Sequence, residues 1–413
     1  MENQLLILLT VLNLYSCQEY KLEFVQSIWR HGLRSAMAPL YPIYEKDWVF
    51  GGGGYGELTP KGMAQMHKVG SAIRQKYVVE EKFLSENYNA KELYIRSSDT
   101  NRTIISAMSL AYGLYPPGNW VQKDIDYPSN VANWQAGLTF IPIRVDNIND
   151  CVPYCFCPRY DELTDLMTDL PEVTDAFDKY AALVANVSTL YNITTDQNDP
   201  PTYFWADSLK SQREEFNETL YTKCDWYNED FYKNSQVLYA PKNRFAVGDF
   251  KQDSTVHGIN IGKEMKIIQA GQLLNEIRNR AVGKFNCDNN CTGFFQHNKF
   301  YGYSSHDIAI YSLLVAFDLQ SVVTVLDGWP DFSACLFFEF HRRTDNDQLY
   351  FKLLYRADET STILPISGGI KGCNGQDLCP MEILHRYADF YNPLPDLYTV
   401  CTTSIYSSAT TPS

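Results

Sequence analysis

The sequence predicts an α/β fold: a mainly parallel sheet flanked by helices, interrupted by an inserted and mostly helical cap. Three observations predict it. Strand–loop–helix units recur along the chain, as a parallel sheet requires. Between about 122 and 250 the pattern changes, with Tyr, Asp, Asn and Pro frequent and hydrophobic periodicity weak. The 413 residues are 45% hydrophobic, 20% charged and 14% aromatic, which fits a chain with a large buried core and not a disordered, collagenous or coiled-coil one. The core is therefore expected at 18–121 and 251–401, the cap at 122–250, and a frayed Ser/Thr-rich tail at 402–413.

Residues 1–17 read as a signal peptide. Leu5 to Leu14 is apolar except for Thr10 and Asn13, and polar Ser16-Cys17-Gln18 follows. Such a run fits a signal h-region and is shorter than the roughly 20 residues a membrane span needs. The flank before it carries Glu2 and no Lys or Arg. The competing reading is a buried N-terminal strand or helix.

Lys21 to Trp29 alternates toward β and ends in Arg30-His31-Gly32. Glycines 51 to 54 and 56 make a mobile loop, which is not a phosphate-binding P-loop because no Gly-Lys-Ser/Thr closes it. Thr59-Pro60 opens a helix with Pro at its first position, and Met63, Met66, Gly70 and Ile73 form its apolar face. Glu92 to Ile95 is a short strand ending at Arg96. Ser97-Ser98-Asp99 offers N-caps for a helix through Ala111, which Tyr115-Pro116-Pro117 then blocks. In the insert, helices are expected near 162–170, 173–190 and 207–222. Ile261 to Ala281 is an amphipathic helix. Phe300 to Ser304 is a strand delivering His306-Asp307 to the helix Ile308 to Phe317. Leu336 to Phe340 and Gln348 to Tyr355 form a hairpin.

A net charge of −14 and a pI near 5.0 argue against a nucleic-acid partner, which needs a basic face. They leave room for an anionic small molecule held by a local arginine cluster. Eleven cysteines, of which ten remain after removal of 1–17, point to disulfides and an oxidising compartment. Their pairing is open, and His partners at zinc-finger spacing are lacking. Asn186, Asn192, Asn217 and Asn290 lie in glycan-acceptor sequons. A fifth sequon, at Asn101, is expected to stay unmodified because a glycan there would crowd the fold. The mature chain is thus expected in the secreted or lysosomal lumen without a transmembrane segment.

Three strand ends carry polar clusters: Arg30-His31-Gly32-Leu33-Arg34, Arg96, and His306-Asp307. Ligands of open α/β sheets bind at the carboxyl ends of strands. Arginine forks match phosphate oxygens and stay charged. The helix that starts at Asp307 points its N-terminus at the same anion, and Gly32 is expected to turn the backbone tightly. An imidazole among arginines is biased toward the neutral form, whose bare nitrogen is a nucleophile toward phosphorus. Asp307 is the matching proton donor if it stays protonated at the working pH. His67, His257, His297, His341 and His385 have no such partner set and read as surface or core residues.

Val25 to Ser35, with Arg30-His31-Gly32-Leu33-Arg34 at its heart, resembles the Arg-His-Gly-x-Arg-x-Pro signature of the histidine acid phosphatases. Gly56-Glu57-Leu58-Thr59-Pro60-Lys61-Gly62-Met63, Ile95-Arg96-Ser97-Ser98-Asp99 with Arg102-Thr103, and Tyr303-Ser304-Ser305-His306-Asp307 follow in the family's order. The helix Gly271 to Ile277 and the tail block Leu378-Cys379-Pro380-Met381-Glu382 with Tyr387-Ala388 agree. The resemblance spans about 22 to 401 and is nearest the animal lysosomal/prostatic branch. It implies a phosphoglycerate-mutase-like fold and hydrolysis of small-molecule or protein phosphate monoesters without metal or organic cofactor. It also implies His31 as nucleophile, Asp307 as proton donor, and Arg30, Arg34, Arg96 and His306 as phosphate ligands.

Two positions depart from the family pattern. Leu33 stands where this branch often has Asp, and Ala36 replaces the signature Pro. The first is expected to shift the pH optimum or leaving-group preference, the second to loosen the loop. The competing functions are a phosphatase of narrower scope (phytase or lipid-phosphate type) and a catalytically impaired glycoprotein that binds phosphorylated partners. A homodimer is compatible with every reading.

Overall fold

β1 (Tyr20–Arg30) is the central strand of an eight-stranded sheet. The structure, a computed structural model, describes residues 20–118, 121–145, 157–178, 202–287 and 293–407, with isolated helical positions 181, 185 and 189. The signal segment, Cys151, Cys155, Cys291, Asn186, Asn192, Asn290 and the end of the tail lie outside the described residues. On one side of β1 the pairing is parallel throughout: β4 (Phe300–Ser305), then β2 (Leu93–Ser97), then β3 (Ile143–Val145). On the other side it is antiparallel: β5 (Cys335–Arg343), β6 (Leu349–Arg356), and the short β7 (Leu364–Pro365) and β8 (Cys379–Pro380), both on β6. The sheet is therefore mixed, because the expected hairpin adds its strands to the parallel set.

Period-two alternation in β1 divides the core between two faces. Phe24 and Ile28 point to a cluster built by α8 (Gln272–Phe285), α9 (Asp307–Ala316) and α10 (Met381–Phe390). Val25 and Trp29 point to the opposite cluster, built by α1 (Pro60–Arg74) and α2 (Asn101–Leu114). Each fully buried side chain of this size contributes roughly 1.5–3 kcal/mol of transfer free energy, so the paired faces fix the register of β1. α1 begins as expected, with Thr59 accepting from the Gly62 amide and Pro60 in its first turn. α2 is entered from Thr100 rather than from Ser97-Ser98-Asp99, and ends at Leu114 just before the prolines.

The amphipathic run from Ile261 is α7 (Ile261–Lys266), a π-helical turn (Ile267–Gly271) and α8 in succession. Of the inserted segment, β3 belongs to the sheet through its pairing with β2. Residues 122–142 are turns and irregular backbone with one isolated bridge, Lys123 to Tyr127, and the helices lie further on: α3 (Pro158–Met167), α4 (Pro171–Asp178), α5 (Thr202–Lys223) and α6 (Glu229–Phe245). α3 and α4 pack on α7 and α11 (Leu397–Thr402) through Leu163, Leu166, Val173, Met265 and Leu397. α6 lacks a counterpart among the expected helices. Its Pro241 and polar stretch hide the periodicity, while Asn228 caps it by accepting from the Phe231 amide.

Disulfides join Cys157 to Cys401 and Cys373 to Cys379, and Cys287 is also disulfide-bonded. Cys224 and Cys335 are buried thiols, and burial pushes the latter up to about 12. No helix of the described residues is long and apolar enough to cross a membrane.

Candidate active site

β1, β4 and β2 end level. In the parallel register Arg30 lies beside Ser305, and Ser97 beside Ser304. His31, Ser98 and His306 therefore leave the sheet along one rim, held by bonds from the His31 amide to the Ser305 carbonyl (3.1 Å) and from the Ser98 amide to the Ser304 carbonyl (3.1 Å). The His31 and His306 rings stand 5.4 Å apart, nearly edge to face. Both residues are almost wholly buried, at 2% and 1% exposure.

The tautomer of His31 follows from its partner. Nδ1 lies 2.8 Å from the Gly32 carbonyl oxygen, which can only accept, so Nδ1 carries the proton and Nε2 keeps its lone pair. Burial holds the His31 pKa well below the ordinary histidine value, reinforced by Arg102, His306, Arg30 and Arg34. His306 is lowered in the same way, by burial and then by Arg102, Arg34 and Arg30. Its Nε2 sits 3.0 Å from the Ser98 hydroxyl.

Gly32 serves by close approach rather than by an unusual backbone angle. A Cβ on it would lie 2.2 Å from the Gly62 carbonyl oxygen, and a Cβ on Gly62 would lie 2.2 Å from the Leu33 carbonyl oxygen. The backbone of the His31 loop thus rests directly on the first turn of α1. Leu33 is fully buried, with its amide donating to Gln65 Oε1 (2.7 Å) and its carbonyl accepting from the Thr59 amide. The loop at Ala36 is held on several sides. Ala36 packs with Ile43 and Trp48, its carbonyl accepts from the Gly56 amide, and the Ser35 amide donates to Glu57.

Arg30 is 2% exposed. Its Nη2 lies 2.7 Å from Asp307 Oδ2, its Nη1 donates to the Pro330 carbonyl (2.8 Å), and its guanidinium stacks 4.2 Å over the Phe332 ring. Its Nε is buried without a hydrogen-bond partner among the described residues. Arg34 donates from Nη2 to Asp207 Oδ1 on α5 at 2.8 Å. Asp307 takes the first position of α9, where its Oδ1 accepts from the Ile308 amide. The first turn of α9 therefore meets Arg30, and Arg34 lies near the same Phe332 ring, 6.0 Å from its centroid.

The structure brings Arg30, His31, Arg34, His306 and Asp307 together, but not Arg96. Alternation along β2 turns Arg96, like Tyr94, toward α8, where it meets Glu276 at 3.0 Å and covers the Tyr303 ring. Arg102, in the first turn of α2, is the foremost charge acting on both imidazoles. The Arg102-Thr103 pair was visible in the sequence. Reading it as the start of a helix lying over the strand end, not as a follower of the strand, would have placed it. Of the sequons, Asn217 is exposed on α5, and Asn101 is exposed with its amide donating to Glu57.

Comparison with known proteins agrees with this geometry. Residues 21–356 match the model of the histidine phosphatase superfamily (branch 2). A Caenorhabditis elegans relative described as "Putative acid phosphatase 10" is 45% identical over 387 residues, covering 92% of this chain and 94% of its own. Human prostatic acid phosphatase is 26% identical over 397 residues, covering 93% and 89%. The fold is that of the Citrobacter braakii phytase, with a TM-score of 0.64 at 12% identity and coverage of 93% and 100%. With the family model matching most of its length, the chain belongs to the histidine phosphatase superfamily, branch 2.

Proposed function

We propose that this protein is an acid phosphatase that hydrolyses phosphate monoesters through a phosphohistidine on His31. The observation that carries the reading is the Nδ1 contact with the Gly32 carbonyl, which leaves Nε2 as a bare nucleophile in a buried, arginine-lined site. Arg30, Arg34, Arg102 and His306 bind the phosphoryl group and stabilise its charge in the transition state. The orphaned Nε of Arg30 is a donor suited to a phosphoryl oxygen.

In the first step the Nε2 lone pair forms a bond to phosphorus. The bond from phosphorus to the ester oxygen breaks, and that oxygen takes a proton from Asp307. In the second step water attacks phosphorus and gives a proton to Asp307. The bond from phosphorus to Nε2 breaks, its electron pair returns to the ring, and orthophosphate leaves.

We also propose export to an oxidising lumen, secreted or lysosomal, with a removed signal at 1–17 and glycans on the predicted sequons. The Cys157–Cys401 and Cys373–Cys379 disulfides support this. Hydrolysis of p-nitrophenyl phosphate from pH 3 to 8, with and without a chelator, tests the activity. Chelator-insensitive turnover peaking in acid supports it; a folded protein inactive at every pH, or activity lost with chelator, contradicts it.

A further inference from the structure

Lys210 lies on α5 and is 5% exposed. A buried ammonium is costly unless it is paired. Here Nζ lies 2.7 Å from Asp327 Oδ2 and 3.1 Å from Asp331 Oδ1. Both carboxylates belong to one short loop, Asp327 to Ser333. Burial works against the Lys210 charge, and the two aspartates overturn it, so its pKa lies above the ordinary lysine value.

The same loop holds the phosphate-binding end of β1. Its Pro330 carbonyl takes Arg30 Nη1, and the Ser333 amide donates to the His31 carbonyl (3.2 Å). The Phe332 ring carries the Arg30 guanidinium at 4.2 Å and has Lys210 Nζ 5.6 Å from its centroid. Phe332 also lies 6.0 Å from the His31 ring. Asn243 on α6 adds a bond to the Asp327 carbonyl (2.8 Å). Asp207 stands three residues before Lys210, on the same face of α5, and holds Arg34. One helix face therefore reaches Arg34 directly and Arg30 through the loop.

We propose that Lys210 is a positioning residue of the phosphate site: clamped between Asp327 and Asp331, it fixes the loop that aims Arg30. This rests on the reading of Arg30 as a phosphate ligand. Lys210 contacts no reacting atom. It acts by preventing Arg30 and the Phe332 ring from rotating away when an anion pulls on the guanidinium. Pre-organisation of this kind appears in anion affinity and turnover together.

The test compares Lys210→Gln, Lys210→Arg and Asp331→Asn with the wild type, reading the inhibition constant of orthophosphate, kcat, KM and thermal unfolding. Lys210→Gln leaves two carboxylates facing an amide and is expected to weaken orthophosphate binding about 10-fold or more, with kcat lowered. Lys210→Arg is expected to restore most of the affinity. Asp331→Asn keeps the Lys210–Asp327 pair, so it folds even where Lys210→Gln does not. It is expected to weaken orthophosphate several-fold with little change in unfolding temperature. Folded Lys210→Gln or Asp331→Asn protein with wild-type orthophosphate affinity and kcat overturns the proposal, even if the unfolding temperature falls. A wild type that neither binds orthophosphate nor turns over overturns the phosphatase reading instead.

Discussion

Gly32 and Gly62 meet backbone to backbone: a Cβ on Gly32 would stand 2.2 Å from the Gly62 carbonyl oxygen and 2.7 Å from its Cα. Neither contact is with a flexible side chain, so Gly32→Ala must push the His31 loop off α1. A displacement on the order of 1 Å at a catalytic group costs about 10²-fold in rate. Gly32→Ala is expected to lose that much kcat and to unfold at lower temperature. Wild-type kcat in Gly32→Ala would show that the contact does not position His31.

Arg102 and Arg96 separate cleanly. Arg102→Ala removes the foremost charge acting on both imidazoles and is expected to cost about 10²-fold in kcat/KM, the usual scale for one transition-state donor. Arg96→Ala strips Glu276 of a cation 3.0 Å away and is expected to lower the unfolding temperature while kcat/KM changes by less than about 3-fold. The reverse ranking would return Arg96 to the phosphate site.

Asp307→Asn is expected to discriminate between leaving groups. p-Nitrophenolate departs with little protonation, whereas an alkoxide needs the proton. The loss should therefore be small for p-nitrophenyl phosphate and about 10²-fold or greater for an alkyl phosphate. Equal losses on both would remove Asp307 from the acid role.

The imidazoles also set a pH dependence of stability. Both histidines titrate well below their ordinary value of 6.5 in the folded protein. As pH falls through the unfolded value, the unfolded chain binds protons that the folded state refuses, so stability declines. The slope approaches about 1.4 kcal/mol per pH unit for each histidine, and it vanishes above pH 7.5 or so. Urea unfolding of wild type and His306→Asn between pH 5 and 8 measures this. His306→Asn should flatten the acid slope; an unchanged slope would contradict a neutral His306.

Much of the site was legible because it is local in sequence. Arg30 ends one strand with His31 and Arg34 just past it, and His306 and Asp307 follow another, so reading strand ends sufficed. Arg96 misled because a strand's last cation looks like a rim residue, while pleat alternation turned it toward Glu276. Arg102 belongs to a helix whose entry point, Thr100, lay further along than the expected caps. Lys210 was invisible, since its partners stand 117 residues away at Asp327 and further on at Asp331. β3 has three residues, too few to show a period. The reason for Gly32 was also tertiary, for only the packed α1 shows what its missing Cβ would strike.

The central claim is that His31 Nε2 forms a bond to phosphorus. Its most direct measurement is rapid alkaline quench of the protein turning over a labelled phosphate monoester, followed by peptide mapping. The account predicts phosphate on the peptide containing His31, absent in His31→Ala, which should also lose nearly all turnover. A turning-over protein that carries no phosphate on His31, or carries it on another residue, would contradict the account.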